Sequence, residues 1–162
     1  QPMFNGHAIV KTFERMLITH VIWIPDSTLG DWECDLESSS RLQLIRVCRE
    51  GEAWPLAAGL YLGGMSPIIL MQSTGLFESG DALRNVMHDL RLPICALIGI
   101  RNWKNPTSAE SARKFAEPII SAWDILSWWL AGESDLPKLE SWYADCQRDQ
   151  KPGLAMFGEG KG

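Results

Sequence analysis

Residues 7–17 carry Ala8, Ile9, Phe13, Met16 and Leu17 at helical spacing, with Lys11, Glu14 and Arg15 on the other face. That pattern predicts an amphipathic first helix. Residues 20–25 form a short β-branched and aromatic run that halts at Pro25-Asp26-Ser27-Thr28, a turn and helix-cap cluster. Residues 31–40 are polar and weakly periodic, read as the end of a second helix and a loop, and residues 42–48 suit a second strand. A helix is expected over 50–62, packing through Leu56, Ala57, Leu60 and Tyr61, with Pro55 tolerated near its start. Its glycines, Gly59, Gly63 and Gly64, suit close approach and a clean stop.

Pro67-Ile68-Ile69-Leu70-Met71 is a near-continuous apolar run, as expected of a central strand covered on both faces. A loop over 72–80, a helix over 81–90, a strand over 92–100 and a polar loop over 101–108 follow. Residues 108–122 read as a helix with Ser108 as its cap and Ser111 close behind. Residues 124–130 fit either a strand or a helix end; 136–150 read as helix and 154–157 as the last strand. Strands alternating with helices imply an α/β fold: a three-layer α/β/α sandwich around a mainly parallel sheet of about six strands. The length of 162 residues fits a single domain spanning 1–162.

The formal charge of -5, without basic runs, argues against a nucleic-acid surface. Cys34, Cys48, Cys95 and Cys146 are far apart and share no metal-ligand spacing, which disfavours zinc or a secreted disulfide frame and fits a reducing cytoplasm. No apolar run approaches the length of about 20 residues needed to span a bilayer, and there is no signal-peptide layout. Gln1 is not a natural start, so a few residues are expected to be missing before it. His7, His20 and His88 show no triad or metal spacing, and the tryptophans, Trp54 included, read as core or interface, an exposed Trp128-Trp129 pair favouring a subunit contact.

The segment Arg49-Glu50-Gly51-Glu52-Ala53, with Ala57-Ala58-Gly59 and Tyr61, places carboxylates directly after a strand and at the start of a small-residue helix. Open α/β sheets place ligands at that edge. Together with Leu70-Met71-Gln72-Ser73-Thr74-Gly75-Leu76, it resembles the pyrimidine-binding domain of thiamine diphosphate enzymes, above all the alpha subunits of sulfopyruvate decarboxylase and phosphonopyruvate decarboxylase. The similarity runs from about residue 9 to 157. In that family the catalytic glutamate lies nine residues before the helix glycine; counting back from Gly59 gives Glu50, whereas Glu52 is seven away.

The resemblance implies that Glu50 shares a proton with N1′ of the cofactor's aminopyrimidine, favouring the imino form that activates thiazolium C2. Taken alone, a glutamate at a helix start is a dipole-compatible surface residue, and Glu52 reads either as lining the cleft or as a solvated carboxylate of the first turn. Gln72, Ser73, Thr74 and Gly75 fall where the family contacts the pyrimidine and the reacting centre. Ser27, and more weakly Asp26, fall on the substrate side or serve as helix caps, and Arg101, with Asn102, follows the fourth strand where it could meet an anionic substrate tail.

Phe77-Glu78-Ser79-Gly80 departs from the family's Gly-Asn continuation, with Phe77 in the place of a glycine. The Gly-Asp-Gly and Asn-Asn motifs that hold diphosphate and magnesium in this class do not occur, since Gly30-Asp31 continues with Trp32. No GxGxxG or GxxxxGK[ST] is present either. The resemblance therefore implies a half-site completed by a beta subunit that carries those motifs and holds Mg2+, in a heteromer of two chains of each kind, acting on a small 2-oxo acid. The chain itself is expected to hold no metal. A non-catalytic ligand- or partner-binding module of the same fold and a carboligase or acetolactate synthase-type subunit remain as alternatives; the isolated chain could also form a homo-oligomer.

Overall fold

The computed structural model describes residues 4–27 and 29–159. Its six strands are β1 (His20–Trp23), β2 (Gln43–Arg46), β3 (Pro67–Gln72), β4 (Cys95–Ile100), β5 (Ser127–Leu130) and β6 (Gly153–Gly158). They form one sheet in the order β2-β1-β3-β4-β6-β5, and every neighbouring pair is parallel. The helices are α1 (Gly6–Arg15), α2 (Glu33–Ser38), α3 (Glu50–Leu62), α4 (Ser73–Arg84), α5 (Ser111–Ala122) and α6 (Leu136–Arg148).

Right-handed crossovers sort these helices between the two faces. Steps in one direction along the sheet (β2 to β3, β3 to β4, β4 to β5) put α3, α4 and α5 on one face, while the return steps put α2 and α6, joined by α1, on the other. Strand alternation follows suit. Val21, Trp23, Ile68, Leu70 and Leu97 enter the core shared with Ile9, Phe13, Leu36 and Leu139. Ile22, Ile69, Met71, Ala96 and Ile98 enter the one shared with Trp54, Ala57, Leu76 and Ile120. The expected three-layer α/β/α architecture is thus present, and residues 127–130 resolve as strand.

Several expectations are corrected. The expected loop over 72–80 is helix: α4 begins at Ser73, directly after β3, and Gly80, at φ +25°, bends it before a π turn at Asn85–Asp89. The polar residues conceal a helical stripe, because Ser73 and Ser79 are buried with Leu76 and the Ser79 hydroxyl donates to the Gly75 carbonyl one turn back (2.6 Å). The stretch read as a helix end opens with a short 3-10 turn at Leu29–Trp32 and is then α2. Helix α5 starts at Ser111 with Glu110, not Ser108, in the cap position.

Within α3 the fully buried residues are Ala53, Trp54, Ala57 and Ala58, so Leu56, Leu60 and Tyr61 border the contact instead of centring it. A side chain on Gly59 would meet nothing within 4 Å, so that glycine serves no close approach; Gly64, at φ +83°, does turn the chain after the helix. Trp128 and Trp129 are half-buried on opposite faces, Trp129 packing on Trp103 with the rings tilted by 45° and their centroids 4.5 Å apart. Thr28 of the expected cap cluster lies outside the described residues.

The start of α3 is held by two carboxylates. Glu52 accepts from the N–H groups of Cys48 (3.1 Å) and Arg49 (3.4 Å), closing the helix end upon itself. Glu78, reaching from α4, accepts from Gly51 N–H (2.7 Å) and from Arg49 Nε (3.0 Å). The Arg49 guanidinium, and then the Gly51 N–H, hold the Glu78 carboxyl below its ordinary value of 4.5. A carboxylate with a depressed native pKa contributes stability that is present above its unfolded value and lost as pH falls through the folded one. Glu78→Gln should therefore lower Tm by about 2 °C at pH 7, from a partly exposed pair worth about 0.5–1 kcal/mol. In thermal unfolding followed by circular dichroism, the gap from wild type should close as pH drops below 4.5; a constant gap would contradict the assignment.

Candidate functional site at the carboxyl edge of the sheet

The chain leaves β1 toward β2 on one side and returns to β3 on the other, so β1 and β3 flank a topological switch point. Crevices of this kind, outside the carboxyl ends of parallel strands, are where open α/β sheets bind ligands. Around it the fold gathers Asp26 after β1, the start of α3 after β2, Gln72 and the first turn of α4 after β3, Arg101 after β4 and Glu159 after β6.

Glu50 is the first residue of α3 and is half-buried. Its side chain lies on Gly75, in the first turn of α4: a methyl group there would stand 2.5 Å from Glu50 Cγ and 2.9 Å from Oε1. Only a glycine lets the two helix starts approach this closely with the carboxylate between them. Glu52 and Glu78 are committed to backbone N–H groups and to Arg49. Glu50 makes no hydrogen bond or ion pair with the other described residues. The geometry thus separates Glu50 from Glu52, which the sequence left open for the cleft.

Gln72 ends β3 and its amide nitrogen donates to Asp26 Oδ1 (3.3 Å), a hydrogen bond across the switch point. Asp26 Oδ1 also accepts from Leu29 N–H (2.8 Å) and Oδ2 from Trp23 Nε1 (3.3 Å), so this residue both caps a turn and faces the crevice. Ser73 is fully buried, and its hydroxyl accepts from the Arg101 backbone N–H (3.3 Å), tying the loop after β4 to α4. Arg101 pairs through Nε with Glu110 Oε1 (3.2 Å), with its guanidinium partly exposed, and Asn102 donates to the other oxygen of Glu110. Thr74 and Ser27 are exposed, and Ser27 makes no hydrogen bond with the other described residues.

Phe77, in the place of a family glycine, is helical and packs with the α3–α4 face of the core, so no special backbone freedom is needed there. The same departing stretch provides Glu78 for the α3 start and Gly80 for the bend. Sequence reasoning missed Glu159, which is 4% exposed and accepts from the Gln72 amide at Oε2 (3.2 Å). The signal was available, since it is the polar residue that closes the last apolar strand at the same edge as Gln72.

Chemically the edge offers an unengaged carboxylate at Glu50, an oriented amide at Gln72 and a cation at Arg101. A carboxylate seated this way suits a ring nitrogen with which it can share a proton. The described residues include no group of three or more His, Cys, Asp and Glu able to hold a metal ion.

No family model matches the chain. Among known proteins it is similar to the sulfopyruvate decarboxylase of Methanosarcina acetivorans, with 30% identity over 114 residues, 69% of this chain and 30% of that protein. It is 29% identical over 109 residues to the sulfopyruvate decarboxylase subunit alpha of Methanococcus maripaludis, covering 67% of this chain and 65% of that subunit. It is also 28% identical over 102 residues to the phosphonopyruvate decarboxylase of Streptomyces viridochromogenes, covering 63% of this chain and 25% of that enzyme. The matched stretch is thus under two thirds of each relative's length, from 65% down to 25%. The resemblance read from Glu50, Gly59 and the Gln72 segment is borne out by these relatives: the chain is similar in sequence to sulfopyruvate and phosphonopyruvate decarboxylases.

Proposed function

We propose that this chain is a single pyrimidine-binding domain that acts as the alpha subunit of a two-subunit, thiamine diphosphate-dependent 2-oxo acid decarboxylase. Its relatives' names point to a 2-oxo acid with a sulfonate or phosphonate tail. The observation that carries the reading is the Glu50 carboxylate, seated on Gly75 at the switch-point edge and hydrogen-bonded or ion-paired to no other described residue. The similarity to decarboxylases named as alpha subunits supports it.

When bound, thiamine diphosphate supplies the electron sink that loss of carbon dioxide from a 2-oxo acid requires. Glu50 would hold a proton between its carboxyl and N1′ of the aminopyrimidine. Gly75 sets the position of that carboxyl. Gln72, Ser73 and Thr74 line the pyrimidine side, while Asp26 and Ser27 lie toward the substrate. Arg101 meets the anionic tail, with Glu110 holding its guanidinium in place until substrate arrives. A beta subunit bearing Gly-Asp-Gly and Asn-Asn holds the diphosphate and Mg2+, for which the described residues offer no ligand cluster.

The test is reconstitution with such a beta subunit, thiamine diphosphate and Mg2+, measuring carbon dioxide release from sulfopyruvate and phosphonopyruvate. Glu50→Gln should leave the circular dichroism spectrum unchanged and lower turnover by at least about 100-fold, as loss of a positioned proton-transfer group does. Turnover within a few-fold of wild type would overturn the assignment. Gly75→Ala should act on the same step, because the added methyl displaces Glu50 without altering its charge. A fall of about tenfold or more in kcat is expected, and an unaffected kcat would show that the Gly75 contact does not position the carboxylate.

A further inference from the structure

Glu159 is a buried carboxylate at the carboxyl edge of the sheet. It follows β6 directly, is 4% exposed, and its backbone is fixed by Glu159 N–H donating to the Ile100 carbonyl (2.9 Å). Its side chain lies over Gly99 of β4, where a methyl group would stand 1.8 Å from Oε1 and 2.5 Å from the carboxyl carbon. Burying a carboxylate is costly unless its oxygens are engaged, and the strand that could have filled this space carries a glycine instead.

What that seat achieves is set by the sheet register. Gln72 pairs with Gly99 across β3 and β4, and Gly99 with Phe157 across β4 and β6, so the side chain of Glu159 crosses β4 to reach the end of β3. There Oε2 accepts from Gln72 Nε2 (3.2 Å), while the same nitrogen donates to Asp26 Oδ1 from the other side (3.3 Å). Asp26 is itself fixed by Trp23 Nε1 and Leu29 N–H. Ionised carboxylates only accept hydrogen bonds. With one on each side, the Gln72 amide presents its NH2 group, and not its carbonyl oxygen, to both carboxylates.

We propose that Glu159 is a positioning residue of this site, which from its seat on Gly99 fixes the side-chain amide of Gln72 in that one orientation. The inference rests on the reading above that Gln72 belongs to the pyrimidine side of a decarboxylase site. A positioning role, unlike simple packing, depends on the carboxylate's accepting only. Glu159→Gln keeps the shape but brings its own NH2 group, so that on its side either orientation of Gln72 can be matched and only Asp26 still opposes the flipped amide.

The experiment uses the 15N-labelled full chain, with the side-chain NH2 signal of Gln72 identified by its loss in Gln72→Leu. In wild type this signal should be protected from solvent exchange. In Glu159→Gln it should shift and exchange about tenfold faster, as expected for loss of a charge-assisted hydrogen bond. Gly99→Ala, which expels the carboxylate without changing its charge, should do the same. In the reconstituted complex, Glu159→Gln should lower kcat about tenfold and leave KM within about twofold. An unprotected wild-type signal, or exchange unaffected by Glu159→Gln, would overturn the proposal, and no folded variant is needed for the first. Altered exchange with unaltered kcat would overturn it as well. Failure of the decarboxylase reading shows separately, as turnover retained in Glu50→Gln while the exchange experiment still reports on Gln72.

Discussion

The approach of the first turn of α3 to the first turn of α4 governs this edge of the molecule. Both helices begin where strands end, and Gly75 removes the one side chain that would hold them apart, which leaves room for Glu50 between them. The contact is then locked from the α4 side by Glu78, which binds Gly51 N–H and Arg49. Glu50 is thus positioned by packing and by neighbouring hydrogen bonds it does not itself make, the condition under which a carboxylate stays available for a ligand.

Acidic residues gather at the carboxyl ends of the strands, yet chemically they are of different kinds. Glu52 and Glu78 serve helix structure, since the N–H groups at the start of α3 need acceptors. Asp26 and Glu159 act on Gln72 from opposite sides. Glu50 alone of the glutamates at the α3 start is neither cap nor ion-pair partner. Glycine is the recurring means of placement: Gly75 seats Glu50 and Gly99 seats Glu159, in each case by omitting a β-carbon where a carboxylate has to lie.

The apolar runs of β1, β3, β4 and β6, the helices between them and the parallel architecture were legible in the sequence, because burial on two faces leaves an unbroken hydrophobic signature. The place of Glu50 at the start of a helix that follows a strand was legible too. The start of α4 was not. Ser73, Thr74, Gly75, Ser79 and Gly80 have the composition of a loop, and only the neighbouring α3, with the Ser79 hydroxyl turned back onto the Gly75 carbonyl, makes a helix of them.

By itself the sequence determined the order of strands and helices, the parallel sheet and the carboxylate spacing that marks the edge, since these follow from local periodicity and from residue intervals along the chain. Only the tertiary structure decided which of the glutamates at the α3 start cap, which pair and which does neither. It also brought Glu159, the residue after the last strand, onto the amide of Gln72, 87 positions earlier in the chain. The physical reason is that hydrogen-bond partnership across a sheet is set by strand order and register, and β6 enters between β4 and β5 in a place that no local pattern in residues 153–158 specifies.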